Sequence, residues 1–286
     1  MAPGGPVPRS FGDLGVRLTS GVVLGVCAIG SVRIGQRGFA LVWLAAAFAV
    51  AWEWQRLIGG ARFGLRLLAA GVALGLSAYA ALAAAPAVGL ALVVLGGLAA
   101  AALAGAGWRV WAGAGVAYAG FFLVCLIALR LSFPFGYRVI FWLFAVVWGA
   151  DVFAYLGGRL IGGPKLWPAV SPGKTWSGTL TGVVCGGALG LLFLTVAGAV
   201  TRFETPAPSL PLLMLGLVVA AVSQGGDLFE SWVKRRFGVK DSSRLIPGHG
   251  GAMDRLDGFI VAVICATIIG ALRGFPSAAE GLFHWN

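Results

Sequence analysis

Residues 210–258, LPLLMLGLVVAAVSQGGDLFESWVKRRFGVKDSSRLIPGHGGAMDRLDG, begin as an apolar run and end as the most charged part of the chain. Leu210 to Phe229 has the length of a helix that crosses the hydrocarbon core of a bilayer, about 20 residues. From Ser223 to Gly258 the sequence then holds five of the ten acidic residues, Asp227, Glu230, Asp241, Asp254 and Asp257. Beside them stand Lys234, Arg235, Arg236, Lys240, Arg244, Arg255 and one of the two histidines, His249. The stretch reads as a membrane span that delivers charge to an interface.

The rest of the chain agrees. With 286 residues, 59% hydrophobic and 11% charged, and a mean hydropathy of +0.93, there is too little charge to coat a soluble globule. An all-α, polytopic helical bundle in a membrane is expected. It forms one domain over residues 1–286, with N-terminal spans in 1–147 and the spans and loops that carry a site in 148–272. Candidate spans are Leu18 to Val32, Phe39 to Trp54, Leu67 to Ala85, Ala87 to Leu103, Val110 to Leu129, Val139 to Leu156, Thr179 to Val200, Leu210 to Phe229 and Phe259 to Leu272. That makes nine, or eight if the short ninth run or the fourth, mostly Ala and Gly, does not cross.

A net charge of +11 would suggest nucleic acid in a soluble protein. Here the basic residues lie mostly between apolar runs, where they set topology and meet anionic headgroups, so membrane lipid and not nucleic acid is the expected partner. In alternate connections, fifteen Lys and Arg fall on one side, from Arg9 and Arg17 to Arg255. Six fall on the other: Arg33, Arg37, Arg130, Arg138, Arg202 and Arg273. The richer side, with the N-terminus and both long polar connections, is expected to be cytoplasmic. The Pro/Gly-rich N-terminus leads into an apolar run that could pass for a signal sequence, but the many later spans favour a retained first helix. Cys27, Cys125, Cys185 and Cys265 are far apart in apolar runs and read as small core residues.

The first five spans, rich in Ala, Gly and Leu, suit close helix packing and carry little chemistry. Glu53, in AWEWQRL, is the exception: it lies at a span end beside Arg56 and reads first as half of an interfacial pair, with a functional role as the alternative. Trp52, Trp54, Trp108, Trp111 and Tyr137 read as interfacial anchors. From Trp148 the character changes to WGADVFAYLGGRLIGGPKLWPAVSPGKTWSG. Asp151 sits inside an apolar run, where an ionisable group usually faces a cavity, a partner or a site. Tyr155 lies one turn further on the same face. All four lysines of the chain, Lys165, Lys174, Lys234 and Lys240, come after this point, and a flexible ammonium is a good phosphate ligand. SPGKTWSG, Ser171 to Gly178, has the residue types of a phosphate-binding loop ahead of a helix N-terminus, although it is not GxxxxGK[ST]. A plain turn and helix cap explains it equally well.

An ordinary polar loop would explain the charge at 223–258 but not its register. On a helix that continues past the interface, Asp227, Ser231 and Lys234 share a face, and Glu230 pairs with Lys234 along an exposed one. Asp254 and Asp257 share the face that opens the ninth span. Carboxylates from two helix ends can converge on Mg2+, which takes oxygen ligands from one or two carboxylates and substrate phosphates. Gly238, Gly248, Gly250 and Gly251 would bring backbone amides close to a ligand. Lys234, Arg235, Lys240, Arg244 and Arg255 could neutralise a polyphosphate. His249 reads as a solvated loop residue or a phosphate hydrogen bond, not as part of a zinc centre. Acid pairs, cations and glycine turns at a membrane surface point to phosphoryl or nucleotidyl transfer between a nucleotide and a lipid.

Ser231 to Asp257, SWVKRRFGVKDSSRLIPGHGGAMDRLD, resembles the signature of the phosphatidate cytidylyltransferase (CDP-diacylglycerol synthase) family: S, any residue, apolar, K-R, four residues, K-D, then P-x-H-G-G and D-R-x-D. QGGDLFES, WGADVFAYLGGRLIG and SPGKTWSG, which is similar to the family's SPKKTWEG, extend the resemblance over roughly the C-terminal half. Gly173 and Ser177 depart from it, where the family has Lys and Glu. The resemblance implies CTP and phosphatidate as substrates, a divalent cation, and a bacterial inner-membrane location with the site facing the cytoplasm. It implies Asp227 and Asp254 as first choices for metal, with Asp257 and Asp151 beside them. Ser171, Lys174 and Thr175 would sit by phosphate. Lys234, Arg235, Lys240 and Arg255, with Asp241, would serve the triphosphate or the lipid phosphate, and Ser231, His249, Gly250 and Gly251 would line the substrate. A homodimer is left open.

Two rivals remain at this point. DRLDG, Asp254 to Gly258, echoes the start of the CDP-alcohol phosphatidyltransferase motif, but FIVAVICA follows it in place of the second half. An anion transporter would need charges along a path through several spans, whereas these gather at one interface.

Overall fold

The computed structural model describes residues 11–200 and 209–285. Arg9 and Arg202, counted above, and the Pro/Gly-rich segment 1–10 lie outside them. The helices are α1 (Phe11–Arg33), α2 (Gly35–Ile58), α3 (Phe63–Leu82), α4 (Pro86–Leu103), α5 (Arg109–Leu131), α6 (Gly136–Leu160), α7 (Trp176–Val200), α8 (Leu210–Arg236), α9 (Met253–Leu272) and α10 (Ala278–Phe283). Strands β1 (Lys165–Trp167) and β2 (Ser171–Thr175) lie between α6 and α7.

Among the described residues, α2 to α9 are the eight helices long and apolar enough to cross a membrane, while the apolar part of α1, Thr19–Arg33, is shorter. The question about the count therefore falls on the first run, not on the fourth or the ninth. α4 is a full 18 residues with Pro86 opening it, where its fixed φ suits a first turn. α9 reaches 20 residues because it starts at Met253 and not at Phe259, taking the polar MDRLD into its first turns. An acid such as Asp254 is favourable there, beside the positive end of the helix dipole.

Lipid gives helices no hydrophobic reason to associate, so they must fit closely. On α7, a Cβ at Gly178, Gly182 or Gly186 would lie 2.6, 2.6 or 2.8 Å from the carbonyl oxygens of Ala154, Ala150 and Val146 on α6. Only glycine permits that approach, and the stripe presses the start of α7 against the Asp151 turn of α6. Trp43 of α2, Phe122 of α5, Phe144 of α6 and Phe259 of α9 meet in the core with ring centroids 5.2 to 6.3 Å apart, so early and late spans share one interior.

SPGKTWSG is neither a glycine-rich loop nor a plain turn. Its first part is β2, paired antiparallel with β1 so that Lys165 faces Thr175 and Trp167 faces Ser171. Thr175 then caps α7, its hydroxyl oxygen accepting from Gly178 N at 3.1 Å. Ser177 donates to the carbonyl of Gly162, so this departure from the family pattern has a structural task. Two smaller expectations also change. Cys27 is exposed, not a core residue, and Trp54 is buried, its indole donating to the carbonyl of Trp111 at 2.8 Å.

Candidate active site

α8 runs unbroken to Arg236, which puts Asp227, Glu230 and Lys234 on one helix. It meets α9 where a Cβ on Gly226 would lie 2.8 Å from the carbonyl of Asp257, and one on Gly258 would lie 2.9 Å from that of Ser223. Two glycines thus let the backbones touch and carry the adjacent Asp227 and Asp257 to the crossing. Asp151 arrives from α6. The carboxylates of Asp151, Asp227 and Asp257 lie within Coulombic reach of one another.

A cavity of about 720 Å³ opens over this crossing, between the β-hairpin and the loop joining α8 to α9. Most of the expected residues line it: Asp151, Asp227, Asp254 and Asp257; Ser171, Lys174 and Thr175; and Lys234, Asp241, His249 and Arg255. Arg235, Lys240, Ser231, Gly250 and Gly251 are not in its wall. Arg235 is exposed and donates to the carbonyl of Val239 at 3.1 Å, and Lys240 is exposed. A helix end separates charges by 100° per residue, so a basic run cannot aim all of its members at one cavity.

Lys174 reaches from β2 to Asp227 Oδ2 at 2.6 Å and to Gln224 Oε1 at 3.2 Å. Gln224, buried at 3% exposure, turns its amide nitrogen to Asp151 Oδ1 at 3.1 Å. Strand, α8 and α6 are thereby tied into one polar chain. Lys234 is held between Glu230 Oε2 at 2.5 Å and Asp254 Oδ1 at 2.6 Å. Its charge is balanced by these two carboxylates at the cavity wall.

Glu230, expected on an exposed face, is 1% exposed because α8 is surrounded at this depth. The amides of the PGHGG turn were expected to face a phosphate, yet Gly251 N donates to Asp254 Oδ2 at 2.7 Å. Ser242 N and its hydroxyl, at 3.0 and 2.9 Å, bond the same oxygen. His249 is no solvated loop residue: its Nδ1 lies 2.6 Å from Ser20 Oγ on α1, and Arg255 donates to its carbonyl at 3.0 and 3.1 Å. Glu53 does not pair with Arg56. It is fully buried, accepts hydrogen bonds from Ser243, Ala252 and Met253 of the same loop, and shares the one Ser242 hydroxyl proton with Asp254. Arg56 instead lies over the Trp52 ring, 5.3 Å from its centroid.

Gln224 is a residue that sequence reading missed, and Glu53 one that it noticed but gave the wrong partner. Gln224 offered one signal, an amide three residues before Asp227 in an apolar run. Arg159, treated only as a topology charge, also lines the cavity and donates to Tyr155 Oη at 2.8 Å.

Beside the polar cavity lies a second, mostly apolar cleft of about 610 Å³ between α1, α2, α6 and α9, and Asp151, His249 and Arg255 border both. A polar, charged pocket bordering a greasy one suits a substrate with a charged head and an apolar body.

Comparison with known proteins points the same way. Residues 15–272 match the model of the cytidylyltransferase family. The chain is similar to proteins named phosphatidate cytidylyltransferase: 38% identical over 278 residues to that of Brucella abortus biovar 1 (strain 9-941), covering 95% of this chain and 98% of the relative. That of Brucella melitensis biotype 1 is 37% identical with the same coverage, and that of Rickettsia bellii (strain RML369-C) 37% over 138 residues, 48% of this chain and 60% of the relative. A family match that takes in every helix from α2 to α9, and with them the carboxylates and cations of the cavity, makes this chain a member of the cytidylyltransferase family.

Proposed function

We propose that this protein transfers the cytidylyl group of CTP to phosphatidate, giving CDP-diacylglycerol and pyrophosphate, at the cytoplasmic face of a bacterial inner membrane. The carrying observation is the pair of adjoining cavities, one polar and one apolar, in a chain whose full-length relatives are named for this activity. The polar cavity suits the triphosphate and the apolar cleft suits the acyl chains, with Asp151, His249 and Arg255 where head meets tail.

A phosphate oxygen of phosphatidate attacks the α-phosphorus of CTP. One P–O bond forms there, the bond to the β-phosphate bridging oxygen breaks, and pyrophosphate leaves with that electron pair. The attacking phosphate is already ionised, so no strong base and no covalent enzyme intermediate are needed. The protein's work is to bring two anions together in line and to stabilise the departing charge. Lys174, at the cavity wall, and Arg255, at the junction of the two cavities, supply positive charge for this.

Mg2+ belongs to the same proposal. The carboxylates of Asp227, Asp254, Asp257 and Asp151 line one cavity, and a divalent cation would relieve their crowding; Asp227 is one-third exposed, whereas Asp254 would have to share oxygens already bonded to Lys234, Gly251 and Ser242. Among the described residues no three Asp, Glu, His or Cys side chains form an ion-binding group by themselves, so substrate phosphate oxygens would complete the shell. When bound, the ion supplies neutralisation of phosphate charge. Family membership sets aside the CDP-alcohol phosphatidyltransferase and transporter readings.

The test uses sealed inside-out vesicles containing the protein and phosphatidate. External CTP with Mg2+ is expected to yield CDP-diacylglycerol, and a chelator to stop it. Product formed only in right-side-out vesicles would reverse the orientation, and none in detergent either would overturn the function. Lys174→Ala is expected to lower kcat/KM for CTP about 10- to 100-fold, the worth of a charge-assisted hydrogen bond. Gly173 provides no neighbouring cation to replace it, and Gly173→Lys should do no harm. Unaltered kinetics in Lys174→Ala would confine that residue to holding Asp227.

A further inference from the structure

From the geometry around Glu53 we infer that this residue of α2 is a positioning residue for the reaction: it fixes the loop between α8 and α9, and through that loop the Asp254 carboxylate, from a helix that otherwise carries no chemistry. Glu53 is 0% exposed, and among the described residues no Lys or Arg is paired with it. A buried carboxylate without a cation is costly unless hydrogen bonds satisfy it. Here the loop supplies all of them. Ser243 Oγ lies 2.6 Å from Oε1 and Ser242 Oγ 3.0 Å from Oε2, while the backbone amides of Ala252 and Met253 donate at 2.8 and 2.7 Å.

Those two amides open α9 and would otherwise lack partners, and negative charge is favoured at that end of a helix. The loop is thus gripped by two acids. Glu53 takes Ser243, Ala252 and Met253, Asp254 takes Gly251 N, and Ser242 stands between them. Gly251 is what lets the loop close: a Cβ there would lie 1.9 Å from Ser242 Oγ and 2.6 Å from Glu53 Oε1. The anchor is itself fixed, because Trp54 and Gln55 donate to the carbonyls of Trp111 and Ala112 on α5, each at 2.8 Å. A shift of this loop would move Asp254, and with it Lys234, relative to Asp227 across the cavity.

The inference rests on the nucleotidyl-transfer reading of the cavity, and its test is built to fail separately. A spin label at Arg244, an exposed loop position outside both cavities, reports loop mobility in the full-length protein whether or not it turns over. Glu53→Gln keeps the shape but sets an NH2 group against the two donors that share one of the carboxylate oxygens. It is expected to mobilise the label and lower turnover about 10- to 100-fold, as loss of a supporting contact does. Arg56→Ala, which touches no part of the loop, should change neither. Ser243→Ala removes one donor to Glu53, together with the acceptor of Leu245 N within the loop, with little risk to folding, and should move both readouts the same way but less. Combined with Glu53→Gln it should add almost nothing, since both act through one contact. An immobile label in Glu53→Gln, wild-type turnover despite a mobile one, or additive effects in the double variant would each overturn the positioning role while leaving the activity in place. If Glu53→Gln does not fold, Ser243→Ala decides alone, and unchanged mobility and turnover there would overturn it.

Discussion

Asp227→Asn and Asp254→Asn are each expected to reduce CDP-diacylglycerol formation on the order of a hundredfold or more, the usual cost of losing one electrostatic contact in a preorganised site. Asn keeps the size of Asp and removes its charge. The two variants differ in what else they disturb. Asp227 is one-third exposed and bonded to Lys174, which retains the oxygens of Gln224 when the carboxylate is gone. Asp227→Asn should therefore fold and insert as the wild type does. Asp254→Asn turns an amide toward Lys234 or toward Gly251 and Ser242, all of which the carboxylate now serves, so some stability goes with the activity. Turnover at limiting Mg2+, read beside elution profile and thermal half-life, separates the effects. Activity within a few-fold of wild type in both variants would remove the metal proposal from this pair and pass it to Asp257 with Asp151.

Lys234→Met is expected to be the most destabilising change near the cavity. Lys234 lies between two carboxylates, and the side chains of Glu230 and Asp254 are 1% and 9% exposed. Removing one partner of a buried ion pair typically costs about 3–5 kcal/mol, because the remaining charge is stranded. Adding Glu230→Gln to Lys234→Met should recover part of that loss, since one of the stranded carboxylates is then neutral. Membrane enzymes often unfold irreversibly, so the measure is residual folded protein over time at a fixed temperature. A half-life equal to that of the wild type would mean that water already reaches the triad. Glu230→Gln alone, at a residue that the sequence placed on an exposed face, is expected to shorten the half-life as well.

The membrane bundle was legible because it is a local property: runs of about 20 apolar residues announce spans wherever they sit. The end of the bundle that carries the cavity was legible too, from acids three residues apart and from lysines confined to the later half of the chain. So was the family, from the long match at Ser231–Asp257. What the sequence by itself determined is thus fixed by spacing along one helix or by the order of residue types.

Only the tertiary structure decided how those residues are spent. Glu53 stands three residues from Arg56, yet it binds Ala252, 199 positions away. Glu230 is buried or exposed according to which helices surround α8, and the PGHGG amides serve Asp254 because Ser242 and Glu53 close in behind them. β2 exists because β1 runs beside it. Periodicity says which side chains share a face of one helix. The rotation of that helix in the bundle, and the identity of its neighbours, come from close packing between glycines such as Gly178 and Gly226 and distant backbone. No local period records those contacts.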